Sequence, residues 1–165
     1  HLLVGYEPII QHLTQIQNPA DPAHRKDSAA KGQNFIKLLT SMDVVCYLFF
    51  LWDVVNELAK VSEVFQQQSS NIADIHQELN AAKCLLSKYK DTDGPNLKKI
   101  AGRTEYKGTV LKGSLSSFTS TRAKMIDALL NSLSNRFEAD EELLKASSVV
   151  QLDTWPEKIS EELDF

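Results

Sequence analysis

One long stretch, residues 42–68, leaves this chain few ways to fold. It contains no glycine or proline, and its first half, residues 44–52, is apolar without interruption. In its second half, apolar residues recur at helical spacing between polar ones. The apolar run is about half of the ~20 residues that cross a bilayer, so it predicts a buried core helix and no membrane span. We therefore expect a central buried helix over residues 42–68.

Apolar residues at helical spacing predict four further main helices. These helices cover residues 6–16, 29–40, 72–89 and 120–137. Ser28 is the expected cap of the second helix, whose predicted buried side carries Phe35, Ile36, Leu38 and Leu39. Gly32 in that helix costs up to about 1 kcal/mol relative to alanine, which predicts a close crossing with another helix. The predicted fold class is an all-α bundle of about five helices around a central one.

The segment between the last two predicted helices, residues 91–117, is the least regular part of the chain. It opens with the turn-forming sequence DTDGP. Residues 105–111 form either a short extended piece with a bend at Gly108 or a plain loop. We expect a single domain over residues 1–156, followed by an acidic tail over residues 157–165. The chain starts without Met, which predicts a fragment of a longer protein.

No motif in the sequence predicts catalysis, a metal site or a cofactor. The six glycines are scattered, so there is no phosphate-binding loop, and the four histidines have no paired cysteines. A Ser-His-acid set stays open because its members meet in space, but nothing resembles a nucleophile elbow. Cys46 and Cys84 lie in apolar helical patterns, which predicts two buried free thiols and fits a reducing compartment.

Two acidic residues of the central helix can be interpreted in two ways. Asp53 and Glu57 are four residues apart, so their carboxylates share one helix face. Either the like charges raise one pKa and create an acid site, or each carboxylate has its own structural partner. We favour the second interpretation, with Glu57 next to Lys60. We also expect Trp52 and Trp155 to anchor the core rather than to stack on bases.

Charge is distributed unevenly along the chain. The net charge of −4 excludes a generally basic nucleic-acid binder but permits a local basic patch. Residues 88–124 carry nine Lys or Arg and three acids, and residues 138–165 carry nine acids and two lysines. The irregular segment either contacts DNA phosphates or is a solvated loop beside an acidic tail; the charge pattern alone favours the solvated loop. The candidate DNA contacts are Lys98, Lys99, Arg103, Lys107 and Lys112.

Several short sequence elements resemble a known family. They are residues 6–13, 30–32, 51–66, 71–75, 135–137 and 152–156, and VSEVFQ at 61–66 with IADI at 72–75 is the most specific pair. Together they are similar to the helical region of hAT-superfamily transposases and of vertebrate zinc-finger proteins derived from them. The resemblance implies a helical insertion in a ribonuclease-H-like core, whose three metal-binding acids cut DNA.

The resemblance places those three acids outside this chain, two before the insertion and one after it. No catalytic residue is therefore carried onto any position here. A zinc-finger module and a dimerisation segment are likewise implied outside the chain. The resemblance implies a non-catalytic scaffold and interaction domain of a nuclear, transposase-derived protein. Its expected partners are DNA, and other proteins or a second copy bound through segments outside this chain. Two alternatives stay open: the DNA-contacting insertion of an active transposase, and an unrelated helical protein-binding module.

Overall fold

The computed structural model describes residues 2–21, 25–67 and 72–137. The main elements of these segments are five helices, α1 Tyr6–Gln15, α2 Lys26–Leu39, α3 Met42–Gln66, α4 Ile72–Lys88 and α5 Ser116–Phe137. Between α4 and α5 lie a 3-10 helix, Leu97–Lys99, and a two-stranded antiparallel hairpin, β1 Glu105–Tyr106 and β2 Thr109–Val110. The predicted mostly helical architecture is confirmed. Residues 157–165, predicted as an acidic tail, lie outside the described residues.

Helix α3 lies at the centre of the bundle. It packs against α4 and α5 along its length and against α2, while α1 packs on α2. One face of α3 supplies much of the core, with the buried apolar residues Val45, Cys46, Phe49, Phe50, Val54 and Val61. The prediction of a central helix is confirmed, although the helix ends at Gln66 rather than at residue 68.

The opposite face of α3 is open, which the sequence did not predict. Trp52 is 40% exposed and Val55 is 58% exposed, so the expectation that Trp52 anchors the core is wrong. The physical reason is that the buried positions of α3, among them Phe49, Phe50 and Val54, lie on another face of the helix than Trp52 and Val55. The Trp52 ring instead contacts the Lys99 ammonium, whose Nζ lies 5.2 Å from the ring centroid. Trp155 lies outside the described residues.

Helix α2 is less buried than its sequence suggested. Phe35 and Leu38 are each 54% exposed, so their predicted burial is wrong. The helix starts at Lys26, two residues before the predicted cap Ser28. The close crossing at Gly32 is observed: a Cβ there would lie 3.0 Å from Ile16 Cδ1, at the end of α1. Helix α2 has more contacts with α1 than with α3, and Gly32 is its buried residue, so most of its apolar side chains stay partly or fully exposed.

The segment before α5 contains a short hairpin, and α5 itself begins earlier than predicted. Residues 105–106 and 109–110 pair as strands, so the extended interpretation of this piece is the observed one. Lys107 and Gly108 form the bend with φ of 44° and 74°, the left-handed backbone that two-residue hairpin turns need. Helix α5 begins at Ser116, four residues before the predicted start.

The two cysteines differ in environment, contrary to the sequence prediction. Cys46 is buried in the core, and burial raises the pKa of its thiol to about 11, with Asp43 and Asp93 adding to the shift. Cys84 is exposed, so its predicted burial is wrong. The buried positions of α4 are Leu79, Ala82 and Leu86, and Cys84 falls between them on the outer side of the helix.

This difference predicts selective thiol chemistry. We expect one thiol per folded chain, Cys84, to react with a maleimide or a disulfide reagent at about pH 8, and two thiols to react after unfolding. Cys46 is protected because it is buried and stays protonated. Counting the labelled thiols by mass spectrometry checks this. Cys84→Ser should abolish the fast reaction and Cys46→Ser should leave it unchanged; fast labelling of Cys46 would contradict the packing.

Candidate nucleic-acid interface

The five basic residues predicted to contact DNA all lie on the connection between α4 and α5. We call this connection, residues 89–115, the basic loop. Lys98 and Lys99 belong to its 3-10 helix, Lys107 to the hairpin turn, and Arg103 and Lys112 to the irregular pieces on either side of the hairpin. All five side chains are exposed. The backbone beneath them is fixed by two buried charged residues that come from neighbouring helices.

The first of these is Asp53, in the middle of α3 and only 1% exposed. Its Oδ1 accepts hydrogen bonds from the backbone N–H of Asn96 at 2.8 Å and from Asn96 Nδ2 at 2.9 Å. Its Oδ2 accepts a third from the N–H of Leu97 at 2.9 Å. Since the first N–H groups of a helix have no partner within it, this carboxylate completes the start of the 3-10 helix from outside. A buried carboxylate with three donors is the arrangement that makes burial of its charge tolerable.

Gly94 lets the loop approach this carboxylate. A Cβ at position 94 would lie 2.3 Å from Asp53 Oδ2 and 2.5 Å from its Cγ, far inside contact distance. Only a residue without a side chain therefore fits between the turn and the carboxylate. The glycine of the DTDGP sequence serves close packing here, in addition to the chain reversal that the sequence predicted.

The second buried charge is Arg122 of α5, which is 5% exposed. Its guanidinium donates to the carbonyls of Tyr89 and Thr92 and to Asp93 Oδ1, the last at 2.6 Å. These acceptors lie at the start of the basic loop, just after α4. Arg122 also lies against aromatic rings of the core, 5.6 Å from the centroid of Phe50. The guanidinium fork suits this site because it reaches several acceptors at once.

Arg122 is one of the nine basic residues between positions 88 and 124, but its side chain is buried and cannot contact DNA. A signal for this was present in the sequence. Arg122 is four residues after Phe118 and four before Ile126, so it falls on the buried stripe of α5. A charged residue at such a position needs a buried partner, and the role of Arg122 as an anchor of the loop is the feature that sequence reasoning missed.

The far half of the basic loop is held by its backbone and by one lysine. The N–H of Lys112 donates to the carbonyl of Thr40, and the N–H of Met42 donates to the carbonyl of Lys112, both at 2.8 Å. These bonds fix the loop to the junction of α2 and α3. Lys107 Nζ donates to the carbonyls of Leu3 and Val4 at 2.9 and 2.8 Å. The loop is therefore attached at both ends and at its tip.

The five predicted DNA contacts divide into two groups. Lys99 and Lys107 already have partners, because Lys99 Nζ also donates to Asn96 Oδ1 at 2.7 Å. Lys98, Arg103 and Lys112 have exposed side chains that make no hydrogen bond or ion pair with another residue of the described segments. The structure thus brings the five residues onto one anchored loop and leaves three of them free of intramolecular partners there.

The acidic pair of α3 matches the interpretation that the sequence favoured. Asp53 is satisfied by the basic loop, and Glu57 accepts two hydrogen bonds from Lys60, at 2.9 and 2.8 Å. The nearby Tyr89 hydroxyl has its pKa raised by burial first, then by the charges of Glu57 and Asp53. Each carboxylate therefore has a structural partner of its own.

The described residues offer neither a metal-binding cluster nor a membrane-spanning helix. Within residues 2–21, 25–67 and 72–137, no three His, Cys, Asp or Glu side chains are grouped so that they could hold a metal ion. No helix of these segments has both the length and the apolar character needed to cross a membrane.

Comparison with family models, with curated proteins and with solved structures finds no match to this chain.

Proposed function

We propose that this chain is a non-catalytic helical interaction module that contacts duplex DNA through the basic loop. The observation that carries the proposal is the combination of exposed cations and a fixed backbone. Lys98, Arg103 and Lys112 are exposed on a loop that buried Asp53 and Arg122 hold in place. Phosphate contacts depend on positioned cations, and a rigid support lowers the entropic cost of presenting them.

The resemblance to hAT-superfamily transposases supports the wider setting of this proposal. Its most specific elements, residues 61–66 and 72–75, fall on the end of α3 and the start of α4. Within these elements Val61 is buried, whereas Phe65 and Ile72 are 44% and 46% exposed. The resemblance carries no catalytic residue onto this chain. We propose that the module is a helical insertion of a transposase-derived nuclear protein with a ribonuclease-H-like core. The flanking sequence of the parent protein tests this, because it should carry ribonuclease-H-like strands on both sides of the insertion. Loss of any of the three catalytic acids would favour the transposase-derived protein, and presence of all three would favour an active transposase. Absence of such strands would favour an unrelated helical module.

The DNA contact is tested with two matched triple variants. Lys98→Gln, Arg103→Gln and Lys112→Gln remove three charges from the basic loop. Lys26→Gln, Lys31→Gln and Lys37→Gln remove three charges from exposed positions of α2. Affinity for a short duplex is measured by fluorescence anisotropy between about 50 and 200 mM salt, the range over which phosphate contacts lose most of their strength.

We expect the loop variant to lose at least about tenfold in affinity at the lowest salt. The slope of log affinity against log salt should fall by about 2 to 3, because each lost phosphate contact removes roughly 0.9. The α2 variant should stay within about twofold of the unmodified chain. Absence of binding at about 50 mM salt, or equal losses in both variants, would show that the basic loop is not a DNA contact.

A further inference from the structure

A shallow apolar groove lies between the N-terminal turn and the open face of α3. Residues 2–4 form one wall, and Leu48, Leu51, Trp52 and Val55 form the other. The groove encloses about 250 Å³, and Val55 is 58% exposed beside it. Single exposed apolar residues are ordinary on a protein surface, whereas a contiguous apolar depression indicates a site that another segment covers.

Two lysines of the basic loop stand at the walls of this apolar groove. Lys99 Nζ lies 5.2 Å from the centroid of the Trp52 ring, and Lys107 Nζ donates to the carbonyls of Leu3 and Val4. The acceptors of both ammonium groups are neutral, since Lys99 donates to an amide oxygen. Neither lysine forms an ion pair with another described residue, so neither positive charge is neutralised there. The groove therefore suits a segment that combines apolar side chains with carboxylates.

A segment of this composition follows α5 in the same chain, outside the described residues. We call residues 149–165 the C-terminal segment. Its first part, VVQLDTWP, contains four large apolar residues, and residues 157–165 contain four acids and one lysine. Residues 97–115 of the basic loop contain five Lys or Arg and one acid. The C-terminal segment and the loop thus have opposite net charges, which attract each other, and the apolar part matches the groove.

The connection to the C-terminal segment is long enough to reach the groove. Helix α5 ends at Phe137, whose ring centroid lies 5.5 Å from that of Phe65 near the end of α3. Val55 precedes Phe65 by ten residues, which is about 15 Å along the helix. Residues 138–148 span at most roughly 36–40 Å when extended, which also allows a path around α3. Because the segment and the groove belong to one chain, even a weak contact between them is populated.

We infer that the C-terminal segment occupies the apolar groove and screens the basic loop from DNA. Its apolar residues cover Trp52 and Val55, and its carboxylates face Lys99 and Lys107. DNA phosphates and these carboxylates then compete for one set of cations, so the segment inhibits the DNA contact from within the chain. The covering of the groove does not depend on the proposed function, whereas the inhibition rests on it.

The covering of the groove is tested on the full chain without DNA. Trp155→Phe keeps an aromatic residue in the C-terminal segment and leaves Trp52 as the one tryptophan, whose fluorescence is quenched with acrylamide. In this background we add Val150→Asp and Leu152→Asp. We expect the quenching constant of Trp52 to rise at least about twofold, because two charges would otherwise be buried in an apolar groove.

The control changes two apolar residues away from the groove. Phe35→Asp with Leu38→Asp, at positions of α2 that are each 54% exposed, should leave the quenching of Trp52 unchanged. A thermal melt checks that each variant folds. Equal quenching in the segment variant and its background would overturn the inference. Protection of Trp52 that grows with chain concentration would do the same, because it indicates that a second copy fills the groove.

The inhibition is tested by affinity for a short duplex at about 50 mM salt. One full-chain variant neutralises three acids of the C-terminal segment, by Glu157→Gln, Glu161→Gln and Glu162→Gln. Its control neutralises three exposed acids of the helices, by Glu7→Gln, Asp27→Asn and Glu63→Gln. We expect the segment variant to bind at least about fivefold more tightly than the control, although both have the same net charge.

The two tests separate failure of the inference from failure of the proposed function. If the segment and control variants bind DNA equally, the C-terminal segment does not inhibit, and the DNA contact itself stands. If no variant binds DNA but Val150→Asp with Leu152→Asp still uncovers Trp52, the DNA contact is wrong and the covering of the groove stands.

Discussion

Asp53→Ala is expected to lower the free energy of unfolding by about 3–4 kcal/mol. The substitution leaves the N–H groups of Asn96 and Leu97 and the Asn96 amide without their acceptor in a buried site. Each buried donor without a partner costs about 1–3 kcal/mol, and no other element of the described structure supplies a replacement. For a domain of this size, the loss corresponds to a fall of roughly 6–16 °C in melting temperature.

Urea and thermal denaturation followed by circular dichroism measure this loss. Asp53→Asn should cost about half as much, because an amide oxygen keeps one acceptor while its NH₂ group faces a donor. Glu63→Ala is the matched control: it removes an acidic side chain from an exposed position of the same helix and should stay within about 0.5 kcal/mol. Amide exchange at Asn96 and Leu97 should accelerate only in the Asp53 variants. A loss below about 1 kcal/mol would mean that the loop is not anchored by this carboxylate.

The sequence indicated that Asp53 has a partner but could not say which one. Helical spacing alone places Asp53 four residues from Phe49 and Glu57, on the buried side of α3. Its partner Asn96 is 43 residues further along the chain. Periodicity is a local property of the sequence, whereas the identity of a long-range partner depends on how the helices are arranged. The five helices were therefore predictable, and the bond that fixes the basic loop was not.

The open face of α3 shows a different limit. The uninterrupted apolar run, residues 44–52, predicts burial on all sides, and for Phe49 and Phe50 this is correct. For Trp52, which is 40% exposed, it is wrong among the described residues. Hydropathy reports that a face avoids water, but it does not report whether the same chain or a second copy covers that face.

The basic loop shows the third limit. Counting charges between residues 88 and 124 identified a basic region, but the count treats every cation as exposed. Arg122 is buried, and Lys90 pairs with Asp127 of α5. Whether a basic side chain can bind DNA depends on whether it is exposed and whether it is already paired, and both depend on the fold. Lys98 and Lys112 remain predicted DNA contacts, since their side chains are exposed and have no partner among the described residues.

Gly94→Ala is expected to cost about 2–3 kcal/mol of stability through steric overlap alone. The added Cβ would lie 2.3 Å from Asp53 Oδ2, and that carboxylate cannot move without losing its bond to Leu97. Gly102→Ala separates this effect from the ordinary cost of replacing a glycine. A Cβ at Gly102 meets nothing within 4 Å, and its φ of 73° costs about 1–2 kcal/mol. Denaturation of both variants under identical conditions measures the difference.

The same substitution also tests whether the support of the loop matters for DNA binding. Gly94→Ala removes no charge, so a flexible basic loop that binds by charge alone would keep its affinity and its salt slope. If the exposed cations act from a fixed backbone, displacing the turn should weaken binding several-fold at constant net charge. Combining Gly94→Ala with Asp53→Ala should cost at least about 1 kcal/mol less than the sum of the two, because both disturb one contact. If the stability losses of the two substitutions simply add, Gly94 and Asp53 do not act through one contact. If DNA affinity is unchanged although the loop is destabilised, the fixed backbone of the loop is not needed for DNA binding.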